Sequence, residues 1–214
     1  MTPPKGLFEE IQQAVADLQP ELEIKTNETY VLLEGRFVLS GMSGPFDFYD
    51  VKVRISPEYP IQEPIVFETG KRIPKEVDRH IFPNNENCCL GVWDEWLLTS
   101  SDHSFQAFLT GPMRDYFLSQ SHFEATGEWP FGERSHGNLG VLEAYCSLLD
   151  IEQDHAKACA YLRLLTYKEI KGHHSCPCGS GKKLRDCHRS ELNDLQNRIP
   201  AFFARRMYKR MIQS

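Results

Sequence analysis

With 214 residues, 41% hydrophobic and 25% charged, the chain has the size and make-up of one substantial domain plus an appendage, which excludes wholesale disorder. The formal net charge of -6 is unevenly spread: residues 163–214 carry 12 Lys and Arg against 4 Asp and Glu, while residues 1–162 carry 12 against 26. A basic tail on an acidic body marks two functional units, and the acidic body argues against a nucleic-acid binder.

In chain order, Leu7, Ile11, Val15 and Leu18 fall at steps of four, four and three, one stripe of a helix, with Thr2-Pro3 as its cap and first turn. The period then changes. "LEIK" near residue 23 reads as a short strand, and "YVLLEGRFVLSG" as a longer one rich in β-branched and aromatic residues. In "FDFYDVKVRI", Tyr49, Val51, Val53 and Ile55 alternate with Asp50, Lys52 and Arg54, the pattern of a half-buried strand, and Gly41 to Pro45 reads as the hairpin before it. "PIVFET" supplies a fourth strand. Connections this short predict an antiparallel meander.

Beyond "NENCCLGVWDEWL" the helical period returns. Phe105, Phe108, Leu109, Met113, Tyr116 and Phe117 form a broad stripe, and Gly111-Pro112 predicts a kink within it. "GEWPFGERSHGN" reads as a turn region. Further helices fit residues 139–149 and 155–171, and a basic helix starts near 189 and breaks at Pro200. The fold class expected is α+β. The domains expected are residues 1–125, a helical extension over 126–172, and a tail module over 173–214.

No run approaches the roughly 18 apolar residues that cross a bilayer, and "MTPPKGLFEE" has no apolar core of a secretory signal. A cytoplasmic chain with no membrane partner is expected. Its seven cysteines are then thiols or metal ligands rather than disulfides. Cys146 and Cys159 sit in apolar helical stripes and read as core thiols. Cys88 and Cys89 are adjacent, so on an extended segment one faces solvent and the other packs inward. Either could be a nucleophile, or the two a redox pair; with no Cys-x-x-Cys or His at ligand spacing, a metal site there is disfavoured.

The order of elements, together with "EYPIQEPIVFETG" (Tyr59, Pro60, Pro64), Cys89-Leu90 and Trp96, resembles the ubiquitin-conjugating enzyme family over roughly residues 4–120. The resemblance implies that fold: a helix, a four-stranded antiparallel meander and further helices. It also implies Cys89 as a nucleophile that carries the C-terminus of a protein modifier as a thioester and passes it to a target amine. The family's His-Pro-Asn element is broken into His80, Ile81, Phe82, Pro83 and Asn84, and the glycine before its cysteine is absent, which is similar to divergent bacterial relatives. Asn84 follows a proline and is the best match to the family's asparagine, an oxyanion donor; Asn85 and Asn87 are further amides. Asp94, Asp102, His103 and His122 are weak candidates for a general base. The bacterial relatives act in antiphage defence. Some attach the C-terminus of a cyclic-oligonucleotide synthase to a target, and others work with a ubiquitin-like protein and an activating enzyme. The alternative is a non-catalytic binding or scaffold protein of the same fold, docking through its basic tail.

The tail carries Cys176-x-Cys178, "GSG", then Cys187-His188, which resembles the small zinc-binding SEC-C module at the carboxyl end of the SecA translocation ATPase. Three thiolates and one imidazole suit a structural Zn2+ with all four positions filled, and so short a segment would take its folding energy from the metal. Gly179 and Gly181 let the chain turn so that backbone N–H groups point at the sulfurs. His173 and His174 read as solvated flanks.

Overall fold

The computed structural model describes residues 5–27, 29–130 and 134–213. The expected Thr2-Pro3 cap and the centre of the 127–138 turn region lie outside them. The chain divides into two units, one of residues 1–93 and 100–133, the other of residues 94–99 and 134–214.

The first unit opens with helix α1 (Lys5–Leu18), whose Ile11 and Val15 are buried as the stripe predicts. Strands β1 (Leu22–Thr26), β2 (Val31–Gly41), β3 (Gly44–Ile55) and β4 (Ile65–Glu68) follow as an antiparallel meander in sequence order. On β3 the alternation holds: Tyr49, Val51, Val53 and Ile55 are buried, facing Phe37, Gly35, Leu33 and Val31 of β2. Gly35 is required here, because a Cβ at that position would lie 2.3 Å from the Glu21 carbonyl oxygen. Helix α2 (Trp93–Thr99) gives its first residue to this unit and the rest to the second.

Helix α3 (Phe105–Phe108) runs through a widened turn at Leu109–Met113 into α4 (Arg114–Thr126). The break falls at Gly111, whose φ of -106° and ψ of -105° are non-helical. Proline at 112 has no N–H for the helical ladder and its ring crowds the turn before it, which accounts for the kink. The predicted stripe is buried throughout, and Phe117 of α4 lies 4.7 Å from the Tyr49 ring and 5.4 Å from the Phe37 ring.

The second unit holds α5 (Gly137–Leu149), α6 (His155–Leu165), α7 (Arg189–Arg198) and α8 (Ala201–Gln213). Helix α6 stops six residues short of the expected 171. Its C-terminal carbonyls are taken by Thr166, whose hydroxyl donates to the Arg163 carbonyl at 2.7 Å, and the chain then turns to bury Ile170. Cys146 is a core thiol as expected, whereas Cys159 is half-buried, 3.9 Å from the His155 ring. No helix among the described residues is long and apolar enough to cross a membrane.

One side-chain network ties β3 to α4. Arg72 donates to both Asp47 oxygens at 2.7 and 2.8 Å and to Glu124 at 2.7 Å, while Ser121 donates to Asp47. The Arg72 guanidinium holds the Asp47 carboxyl below its usual range. A carboxylate with a depressed folded pKa contributes stability above its unfolded value, roughly pH 4, and loses it as pH falls through the folded value. Asp47→Asn is therefore expected to cost on the order of 1 kcal/mol at pH 7, after allowing for solvent screening, and nothing at the acid end. Urea unfolding midpoints across this pH range read both limbs.

Candidate functional site

The Cys88-Cys89 pair lies in a narrow loop of the first unit. Residues 80–82 and 87–89 run antiparallel, joined by Phe82 N–H to the Asn87 carbonyl (2.9 Å) and Cys89 N–H to the His80 carbonyl (2.8 Å), with Ile81 opposite Cys88. A turn at Pro83–Asn85 closes the loop, and Glu86, with φ of 60°, lets it return. The second arm is also fastened to the sheet, since Cys88 N–H donates to the Val66 carbonyl of β4 at 2.8 Å.

This pairing sorts the side chains. Ile81 and Cys88 are buried, while Phe82 is exposed and Asn87 and Cys89 are half-exposed. Residues on alternate faces of an extended arm do this of necessity. Burial pushes the Cys88 thiol up to about 12, against a hydrogen bond from the Tyr116 hydroxyl that lowers it. Almost no thiolate forms there at neutral pH, so Cys88 is a poor nucleophile. Cys89, half-exposed, is the one of the pair that solvent reaches.

Tyr116 of α4 also lies 3.4 Å from the carbonyls of both Arg79 and His80, so one hydroxyl fixes the first arm and the buried thiol together. The His80 ring packs edge-on against Trp129 at 4.7 Å, and Trp129 stacks on Phe123. Nothing local in the sequence pairs Tyr116 or Trp129 with the cysteines; both come from α4 and the residues after it.

Asn84 sits exposed at the tip of the loop and Cys89 at its base. At about 3.4 Å per extended residue, the returning arm separates the two by on the order of 10 Å. Asn87 lies two residues before Cys89 and hence on its side of the arm; its Oδ1 is buried without a hydrogen-bond partner among the described residues. Among the base candidates, Asp102 spends its carboxylate on the Ser104 N–H at 2.8 Å. Asp94 is fully buried in the second unit, accepting from Tyr145 at 2.5 Å and paired with Arg206 at 2.7 Å. His103 is half-buried and His122 is exposed. Tyr59 and Trp93 are scaffold: their polar atoms donate to the Ser104 and Pro60 carbonyls at 3.0 and 2.9 Å. Trp96 is half-buried on α2, within the second unit.

The tail of the second unit builds a separate cluster. Ser175 and Lys183 pair as a short β-bridge and Cys176 N–H donates to the Lys182 carbonyl at 2.9 Å, closing a loop that Gly179 and Gly181 turn at positive φ. Cys176, Cys178, Cys187 and His188 converge, their donor atoms all within 4.8 Å of one another. His188 Nδ1 lies 3.3 Å from Cys176 Sγ and 3.1 Å from Cys187 Sγ, and Cys178 and Cys187 sulfurs are 3.6 Å apart. Zn–S bonds of about 2.3 Å in a tetrahedron set sulfur separations near 3.8 Å, so the four donors fit such an ion. Backbone N–H groups of Cys178 and His188 reach the Cys176 sulfur. The Ser180 hydroxyl, 3.2 Å from Cys178 Sγ, is the foremost cause of that thiol's fall to about 6. His173 is exposed as expected, but His174 is half-buried, its carbonyl accepting from Leu184 N–H at 2.8 Å.

A family model for the SEC-C motif matches residues 175–190. These residues form a zinc-binding type of motif. No curated protein and no solved structure matches the chain. The cluster is expected to take up one divalent ion per chain. Titration with Co2+, which colours on thiolate ligation, should saturate near one equivalent, and Cys187→Ser should lower affinity by at least about tenfold.

Proposed function

We propose that the chain is a ubiquitin-conjugating-like acyltransferase with Cys89 as its acyl carrier. The observation that carries this reading is the sorting of the pair: the cysteine that matches the family's Cys-Leu is half-exposed at the base of a fastened loop, and its neighbour is buried with a raised pKa. The four-stranded meander followed by helices is consistent with it.

In the reaction, the Cys89 thiolate attacks the activated C-terminal carbonyl of a protein modifier. An S–C bond forms, and the activating group leaves with its electron pair, a thiol if an activating enzyme delivers the modifier. A target amine then attacks the thioester carbonyl. The tetrahedral oxyanion collapses, the N–C bond is retained, the C–S bond breaks, and Cys89 leaves as thiolate while the amine proton passes to water or a base. Sulfur suits both steps because it is nucleophilic near neutral pH and its thioester stays reactive to amines. Asn87, two residues before Cys89 and on the same side of the arm, is the amide assigned to the oxyanion, with Asn84 at the loop tip as the alternative. Cys176, Cys178, Cys187 and His188 would hold a Zn2+ that would supply local cross-linking and no step of the transfer. The modifier is a cyclic-oligonucleotide synthase or a ubiquitin-like protein, the setting is bacterial antiphage defence, and the compartment is the cytoplasm.

A synthetic glycine-ended peptide aryl thioester tests the carrier step without the native modifier. Wild type and Cys88→Ala are expected to gain one thiol-reversible adduct on residue 89, and Cys89→Ala none at this loop. Discharge of that adduct to free lysine is expected to slow about 10²–10³-fold in Asn87→Ala, and less in Asn84→Ala. An adduct distributed over the other cysteines, with Cys89 no more reactive than they are, favours the scaffold reading.

A further inference from the structure

The second unit contains a fully buried carboxylate that the acyl-transfer reading does not use. Asp94, 0% exposed, accepts from the Tyr145 hydroxyl at 2.5 Å and pairs with Arg206 Nε at 2.7 Å and Arg210 at 3.8 Å. Arg206 and Arg210 stand one helical turn apart on α8, so a single carboxylate steadies both. Desolvating that carboxylate is costly, and the arrangement is not what a merely solvated helix face needs.

The same two guanidinium groups line a shallow, open surface hollow, together with Lys209, Phe202, Gln213 and Asn138. None of these described lining residues is acidic. The two amides can donate, and Phe202 is 54% exposed. Three cations against the one buried carboxylate leave a local charge of +2, which matches the roughly -2 of a phosphate monoester and overshoots a single carboxylate. Fixed guanidinium forks suit phosphate oxygens in particular, and an exposed aromatic ring offers a stacking face.

The geometry points to a binding site in this hollow for a small phosphate monoester that carries a flat ring, of the size of a nucleoside monophosphate. Phosphate sits against Arg206, Lys209 and Arg210, and the ring lies on Phe202. The site is independent of Cys89.

Calorimetric titration of the full-length, metal-loaded protein at low salt tests this with four probes: adenosine 5′-monophosphate, ribose 5-phosphate, inorganic phosphate and adenosine. The monophosphate is expected to bind saturably at one per chain, about tenfold or more tighter than ribose 5-phosphate or phosphate, with adenosine weakest. Lys209→Gln, which leaves the Asp94 pairs intact, is expected to weaken the monophosphate about tenfold, and Phe202→Ala to reduce it to the level of ribose 5-phosphate. Lys168→Gln, an exposed charge elsewhere on the unit, is expected to change nothing. The site is refuted by the absence of saturable binding up to about 10 mM. It is equally refuted by adenosine binding as well as its monophosphate, by phosphate binding as well as the monophosphate, or by equal losses in Lys168→Gln and Lys209→Gln.

Discussion

The hydrogen bond from Cys88 N–H to the Val66 carbonyl, at 2.8 Å, fastens the cysteine loop to the edge of a packed sheet, and the character of the site follows from it. In the pairing with residues 80–82, Ile81 and Cys88 form the position whose own N–H and C=O point away from the partner arm. Those groups therefore need another acceptor and donor, and β4 supplies one. Once Cys88 is bound there its side chain has to enter the core, where Tyr116 meets it, and period-two alternation turns Cys89 outward. Two chemically identical neighbours become a buried thiol of pKa about 12 and a half-exposed one. The difference between them comes from backbone geometry.

The second unit uses polar groups differently. Its tail has a small apolar core in Leu184, Leu192 and Leu195, and a metal ion held by the four converging donors around Cys176 would provide the constraint that such a short loop otherwise lacks. Arg189 donates to the Ile170 carbonyl and Gln196 to the Tyr167 carbonyl, so α7 holds the segment leading into that loop. At Asp94, by contrast, a buried carboxylate meets the Tyr145 hydroxyl and two partly exposed guanidinium groups. Such pairs seldom add stability over apolar packing, and they serve to set side-chain direction. Cation placement on α8 is the consequence.

Much of the architecture was legible in the sequence because it is written in local periodicity. The steps Leu7, Ile11, Val15 and the alternation from Tyr49 to Ile55 each report which face is buried, and the meander followed from the shortness of the connections. The Cys₃His set was legible for a similar reason: its ligands fall within 13 residues. What escaped depends on long-range partners. Tyr116 reaches Cys88 across 28 positions, Arg206 reaches Asp94 across 112, and neither spacing has a local signature. Asp94 looked like a base candidate as an isolated carboxylate, whereas its partners make it an anchor. Helix α6 looked six residues longer than it is because the sequence after Leu165 stays compatible with a helix, while Thr166 capping and the burial of Ile170 turn the chain instead.

The account turns on the unequal reach of two adjacent sulfurs, and timed alkylation of the native protein with iodoacetamide, read by peptide mass spectrometry, measures that most directly. The fastened loop predicts that Cys89 is modified readily at pH 7.5 while Cys88 stays unmodified until the protein is unfolded. Equal modification of the two in the folded state, or faster modification of Cys88, would contradict it.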